Sequence, residues 1–189
     1  MTTTRTTRTV RSGLAKDTQF GAVVPPLHLT STYTFDGFEG KRDYDYTRSG
    51  NPTRDALGHA IADLEGGHGG TITASGMAAI TLVCQLLRPG ELLIAPHDCY
   101  GGTHRLLSTL HERGQFRVAF VDQTDTKALQ RSFADGPRMI LVETPSNPLL
   151  RIPDFALVAG LCQLHDTLFV SDNPFLSPAW QTPIEHAAD

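Results

Sequence analysis

Short apolar runs at Leu92 to Ala95, Val118 to Val121, Met139 to Val142 and Leu168 to Val170 recur through the second part of the chain. Between them lie Thr103 to Arg113, Thr126 to Ala134 and Phe155 to His165, each with the apolar spacing of a helix. A short run without polar alternation suits a strand covered on both faces, and parallel strands need a crossover between them, which a helix supplies. The rhythm therefore predicts an α/β fold with a mainly parallel sheet and crossover helices. Just upstream, G-T-I-T-A-S-G-M-A-A (Gly70 to Ala79) reads as one more strand, Thr71 to Ala74, that turns tightly into an apolar helix over Met77 to Leu87. At 189 residues and 40% hydrophobic composition the chain is long enough for one domain with its own core.

Charge and cysteine usage exclude several classes of function. A net charge of -4, with Lys and Arg scattered rather than striped, offers no field for nucleic acid. No stretch approaches the roughly 20 apolar residues of a membrane span, and the opening M-T-T-T-R-T-T-R lacks the apolar run of a secretory signal. A soluble cytoplasmic protein without nucleic-acid or membrane partners is expected. Cys84, Cys99 and Cys162 contain no close-spaced pair and read as reduced, buried thiols. His97 and Cys99 flank Asp98, but no further ligand clusters with them, so no metal site is expected.

Met1 to Asp36 shows little helical periodicity and reads as an extended arm ending in the apolar run Leu27 to Phe35; arms of this kind pack on partner subunits. A loop rich in Gly and charge follows, ending in D-Y-D-Y-T-R-S-G-N-P-T. Asn51 and Pro52 read as the N-cap and first position of a helix whose apolar face is Ala56, Leu57, Ala60, Ile61 and Leu64, with Gly66-Gly67 ending it.

In open parallel sheets ligands sit beyond the carboxyl ends of the strands, and four polar residues fall there. Ser75, with Gly76 and Met77, opens a helix whose free N–H groups and positive dipole end suit a phosphate; a tight turn in any α/β domain has the same appearance. Asp172 closes the run L-F-V-S, where a buried carboxylate needs a cationic partner such as a protonated pyridine nitrogen, or else caps the turn at Asn173-Pro174. Tyr100 in H-D-C-Y-G-G either packs at a strand end or lies over a ring and moves protons. Asn147 in E-T-P-S-N-P either braces a turn or hydrogen-bonds a ring oxygen, and Tyr46 and Arg48 either are solvated or donate to a phosphate.

The strings V-V-P-P-L-H-L-T-S-T-Y-T-F, Y-T-R-S-G-N-P-T, L-E-G-G, T-A-S-G-M-A-A, A-P-H-D-C-Y-G-G-T, V-E-T-P-S-N-P and V-S-D-N-P-F-L-S-P together resemble the Cys/Met-metabolism family of pyridoxal-phosphate enzymes, from about Val10 to the last residue. The resemblance implies the large-domain part of a fold-type I enzyme, truncated: residues 1–50 an arm and loop contacting a neighbouring subunit, residues 51–189 an incomplete cofactor-binding α/β domain, and no C-terminal domain. It implies pyridoxal 5'-phosphate as cofactor, amino-acid substrates and a homo-oligomer, a dimer of dimers in the complete enzyme. It also implies that Ser75, Gly76 and Met77 hold the phosphate, with Tyr46 and Arg48 reaching it from the neighbouring subunit. Tyr100 would stack on the ring and act as acid and base, Asn147 would contact the ring hydroxyl, and Asp172 would pair with the ring nitrogen. Where the family commonly reads D-N-T-F, this chain has Asp172-Asn173-Pro174-Phe175, and Pro174 removes a backbone donor beside the key carboxylate.

By the same resemblance the activity would be γ-replacement of an O-acylhomoserine, such as O-succinylhomoserine, with cysteine. The family's β- and γ-cleaving lyases are the first alternative, and an inactive truncated chain is the second. The last arises because the only lysines are Lys16, Lys41 and Lys127, none of which follows Asp172 or ends an apolar strand, so all three read as solvated and no Schiff-base lysine is expected. A nucleotide-binding α/β domain would need a G-x-G-x-x-G or G-K-[ST] loop, and neither is present. An uncovered sheet edge and bare helix faces would leave the chain folding poorly alone.

Overall fold

The computed structural model describes residues 4–14 and 17–189. It divides into two compact units, one up to Ile72 and one from Thr73 onward.

The first unit is built on helix α2, Pro52–Glu65. Asn51 caps it: its side-chain oxygen accepts from the Thr53 N–H at 2.9 Å, and its amide nitrogen reaches Thr47 Oγ1 at 2.6 Å and the His28 carbonyl at 3.1 Å. Gly66 ends the helix with φ of 78°, a left-handed turn that glycine adopts without steric cost. The expected arm without helical structure is corrected here, because Arg5–Arg11 forms helix α1. R-T-T-R-T-V-R has no apolar period; what holds it is a Thr4 cap and contacts to α2, with Arg8 donating to the Asp63 carbonyl and Ser12 Oγ to the Ala60 carbonyl at 3.1 Å. From residue 17 to residue 36 the described chain forms no helix, and several of its apolar side chains are bare, Leu29 being 95% and Phe20 83% exposed. Lys16, read as solvated, lies outside the described residues.

The second unit is a four-stranded parallel sheet. Its strands are β1 (Leu92–Pro96), β2 (Arg117–Val121), β3 (Met139–Glu143) and β4 (Leu168–Asp172), in the order β2-β1-β3-β4. Helices α4 (Gly101–Glu112), α5 (Thr126–Ser132) and α6 (Phe155–His165) make the crossovers, α3 (Gly76–Cys84) precedes the sheet, and the short α7 (Ser177–Trp180) follows it. The strand alternation sorts the core into two layers. Leu93, Ala95, Met139 and Leu141 pack with Cys84 of α3 and Leu107 and Leu110 of α4. Ile94, Ile140, Val142 and Phe169 pack on the other face with Leu129 of α5 and Val158 and Cys162 of α6. Since β1 is followed by β2 on one side and flanked by β3 on the other, the chain reverses its direction of travel between β1 and β3. A crevice opens at such a switch point, beyond the carboxyl ends.

Two expectations are corrected. Thr71 to Ala74 belongs to no strand, since it makes no ladder with β1 to β4. The helix expected over Met77 to Leu87 stops at Cys84, after which Gln85, Leu86 and Leu87 donate to carbonyls three residues back in tighter turns. Among the described residues no helix is long and apolar enough to cross a membrane. The three thiols are buried, and burial pushes Cys84 up to about 11 and Cys99 and Cys162 up to about 12, so none is a nucleophile at neutral pH.

Candidate active site

Six of the eight residues singled out from the sequence line one cavity of about 290 Å3 in the second unit: Ser75, Gly76, Met77, Tyr100, Asn147 and Asp172. Helix α3 forms one wall. Ser75 is its N-cap, its hydroxyl accepting from the Ala78 N–H at 3.2 Å, which leaves the N–H groups of Gly76 and Met77 at the first turn without intrahelical acceptors. With the dipole adding about half a positive charge there, this wall suits an anion.

Tyr100 stands at the start of α4, its ring half-exposed. Gly102 explains the G-G that follows it: a Cβ there would lie 2.6 Å from the Tyr100 ring and 3.1 Å from the Met77 sulfur. Only a residue without a side chain lets the ring lie down beside Met77.

Asp172 ends β4, and burial raises its pKa above the ordinary carboxylate value. No hydrogen bond or ion pair reaches its carboxylate among the described residues, and its neighbours Ser171 Oγ and Asn173 Oδ1 are buried without partners too. Of the three, Asp172 lines the cavity, where a cationic ligand would complete it. Pro174 lines the cavity beside Asp172, and the Asn173 side-chain amide donates to the Gln181 carbonyl at 2.9 Å.

Glu143 was not singled out from the sequence, although it closes an apolar run just as Asp172 does. It sits opposite Asp172 in the β3–β4 register and is buried in the cavity wall. Desolvation raises its pKa, and repulsion from Asp172 and Asp98 adds to this; hydrogen bonds from the Tyr100 and Asn147 N–H groups oppose it, the former at 2.8 Å. Thr103, also unforeseen, is buried in the wall with its hydroxyl 3.9 Å from the Met77 sulfur.

Tyr46 and Arg48 lie in the first unit, on a braced loop. Asp45 accepts from the Tyr46 N–H at 2.7 Å, from Ser49 Oγ at 2.9 Å and from Lys41 at 2.9 Å, which lower its pKa to about 2. The Arg48 guanidinium lies 4.9 Å from the centre of the Tyr46 ring, and both side chains are exposed. Lys41 is held by Asp45, and Lys127 is in the exposed first turn of α5, so neither lines the cavity.

The sequence pattern of the Cys/Met metabolism PLP-dependent enzymes matches residues 6–189. The chain belongs to that family. Cystathionine gamma-synthase of Escherichia coli is 53% identical over the whole chain, and a cystathionine beta-lyase of Lactococcus lactis is 39% identical over 97% of it. A crystal structure of cystathionine gamma synthase from Xanthomonas oryzae, in complex with cystathionine, superposes with a TM-score of 0.97 at 51% identity over the whole chain. The chain spans about half the length of each: 49%, 48% and 49%. The cavity fits the family's cofactor, pyridoxal phosphate. It offers unpaired helix N–H groups for a phosphate, an aromatic face, a polar amide, and a carboxylate in want of a cation.

Proposed function

We propose that this chain forms the pyridoxal-phosphate-recognising part of a cystathionine γ-synthase-type transferase of methionine biosynthesis. The reaction replaces the acyloxy group of an O-acylhomoserine, O-succinylhomoserine in our reading, with the sulfur of cysteine to give cystathionine. The observation that carries the reading is Asp172, an unpartnered, desolvated carboxylate facing into the same cavity as the α3 N-terminus. The identity of 53% with a synthase, against 39% with a lyase, favours replacement over cleavage.

When bound, the cofactor supplies an electron sink whose strength depends on a protonated ring nitrogen. Asp172 would hold that proton by charge, and the low dielectric around it strengthens the pairing. The N–H groups of Gly76 and Met77, with Ser75, would bind the phosphate. Tyr100 would cover the ring and move a proton at its hydroxyl, and the Asn147 amide would fix the ring orientation through the ring hydroxyl. In this reading residues 1–50 contact a neighbouring subunit, Tyr46 and Arg48 donate to the phosphate held there, and residues 51–189 are the cofactor-binding domain. The assembly is a homo-oligomer, a dimer of dimers when complete, and works in the cytoplasm.

The test is an absorbance spectrum of the chain after incubation with pyridoxal phosphate and desalting, with and without borohydride. Retained cofactor that borohydride does not fix to the chain supports recognition without a covalent lysine. Fixation to Lys16, Lys41 or Lys127 would overturn that assignment. Co-expression with the second half of the E. coli relative as a separate polypeptide then tests the reaction. Cystathionine formation from O-succinylhomoserine and cysteine supports a synthase, and faster keto-acid release from cystathionine would place the chain with the lyases.

A further inference from the structure

Two of the loops that carry cavity residues are tied to one another by two short hydrogen bonds, beside a longer one of 3.5 Å from Arg151 to His97, and only one of the short ties lies in the cavity wall. The first is Glu143, at the end of β3, which holds the Tyr100 N–H in the loop after β1. The second runs the opposite way. Asp98, in the loop after β1 and two residues before Tyr100, accepts from Ser146 Oγ at 2.6 Å, and Ser146 is the residue next to Asn147. At 2.6 Å this is the short, charge-assisted kind of hydrogen bond.

Ser146 is fully employed. Its hydroxyl proton goes to Asp98, its oxygen accepts from the Arg151 N–H at 3.2 Å, its own N–H donates to the Arg151 carbonyl at 2.9 Å, and its carbonyl accepts from the Leu150 N–H at 2.8 Å. It is 3% exposed, so water does not replace these bonds. The loop from Ser146 to Arg151 is therefore closed on itself at the residue that Asp98 grips. The other charged groups near Asp98 are looser: Arg151 Nε at 4.0 Å, with its guanidinium committed to Asp122 at 3.0 Å, and His97 Nδ1 at 3.7 Å. With its side chain 10% exposed, Asp98 depends on Ser146 for its one close bond.

We propose that Asp98 is a positioning residue: through Ser146 it clasps the Asn147 loop to the Tyr100 loop, so that the two sides of the cavity are set together. Its bearing on the cofactor rests on the functional reading above; the coupling of the loops does not.

The experiment has two arms, both on the 189-residue chain. Amide hydrogen exchange without cofactor reads the clasp directly. Asp98→Ala should speed exchange at Leu150 and Arg151, on the far loop, by about tenfold, the loss of one hydrogen bond to a charged group. Asp98→Asn keeps an acceptor for the hydroxyl and should stay within about threefold of the parent. Ser146→Ala should act reciprocally at Tyr100, and it stands in if Asp98→Ala does not fold. In the second arm, the dissociation constant and induced circular dichroism of bound pyridoxal phosphate should change alike in Asp98→Ala and Ser146→Ala, with binding about tenfold weaker. The double variant should be no worse than either single one. Faster exchange confined to residues 97–99 in Asp98→Ala would overturn the proposal, as would unchanged cofactor affinity and dichroism in both variants. If the parent chain retains no cofactor, the functional reading fails, and the exchange arm still decides the clasp.

Discussion

The two ends of the sheet in the second unit differ in how their polar groups are answered. At the amino ends of β3 and β4 lies a hollow of about 700 Å3, larger than the 290 Å3 cavity at the carboxyl ends. Yet its buried polar side chain is matched, Thr167 Oγ donating to the Pro137 carbonyl at 2.8 Å, and Asp189 accepts from the Phe169 N–H at 2.8 Å while donating its own N–H to the Phe169 carbonyl at 2.9 Å. At the carboxyl ends, no hydrogen bond or ion pair reaches the desolvated Asp172 carboxylate among the described residues, and Ser171 Oγ and Asn173 Oδ1 beside it are buried without partners. Size therefore does not mark the functional end. Unanswered polarity does, because a fold retains a desolvated, unpaired carboxylate at a cost unless something binds it.

Substitutions can break that contrast. Asp172→Asn should give the largest effect, weakening pyridoxal-phosphate binding by about 100-fold in an equilibrium titration, the cost of leaving a buried cationic group without its charge partner. The same change should not lower the melting midpoint, because it removes a desolvated charge. Gly102→Ala comes next. The Cβ displaces the Tyr100 ring, and binding should weaken by about tenfold with little loss of stability. At the opposite end the pattern should reverse: Thr167→Val should cost about 1 kcal/mol in denaturant unfolding through a lost buried hydrogen bond, with cofactor affinity unchanged.

The smallest effect is in pH. Asp172 and Glu143 have pKa values raised by burial, so each binds its proton more tightly folded than unfolded. Their contribution to stability is whole below the ordinary values of 3.8 and 4.5 and is lost as pH rises through the folded values. The ligand-free chain should thus lose more stability from pH 5 to 7.5 than Asp172→Asn does, measured by thermal unfolding at each pH.

Much of this was legible in the chain. The strands were, because buried parallel strands are unbroken apolar runs, and α6 was, because its apolar spacing is regular. Ser75 is legible as the opening of an apolar helix, and one rule, that polar residues just past strand ends face the crevice, gathers Tyr100, Asn147 and Asp172. Applied evenly, it would have found Glu143 as well, hidden in E-T-P-S-N-P by the more conspicuous asparagine. Other features had no local signal. Helix α1 forms by docking on α2 in spite of its threonines. Thr71 to Ala74 has strand-like residues, but strandedness needs a partner, and the sheet order gives it none. The bond between Asp98 and Ser146 joins residues 48 positions apart, which spacing alone does not bring together.

The central claim is that Asp172 makes the carboxyl end of the sheet a site for a cationic ring. The most direct test is the 15N chemical shift of ring-labelled pyridoxal phosphate bound to the chain, followed with pH. The ring nitrogen should stay protonated to higher pH in the parent chain than in free cofactor, and Asp172→Asn should abolish that difference. A bound cofactor whose nitrogen titrates as it does in water, or one indifferent to Asp172→Asn, would contradict the assignment.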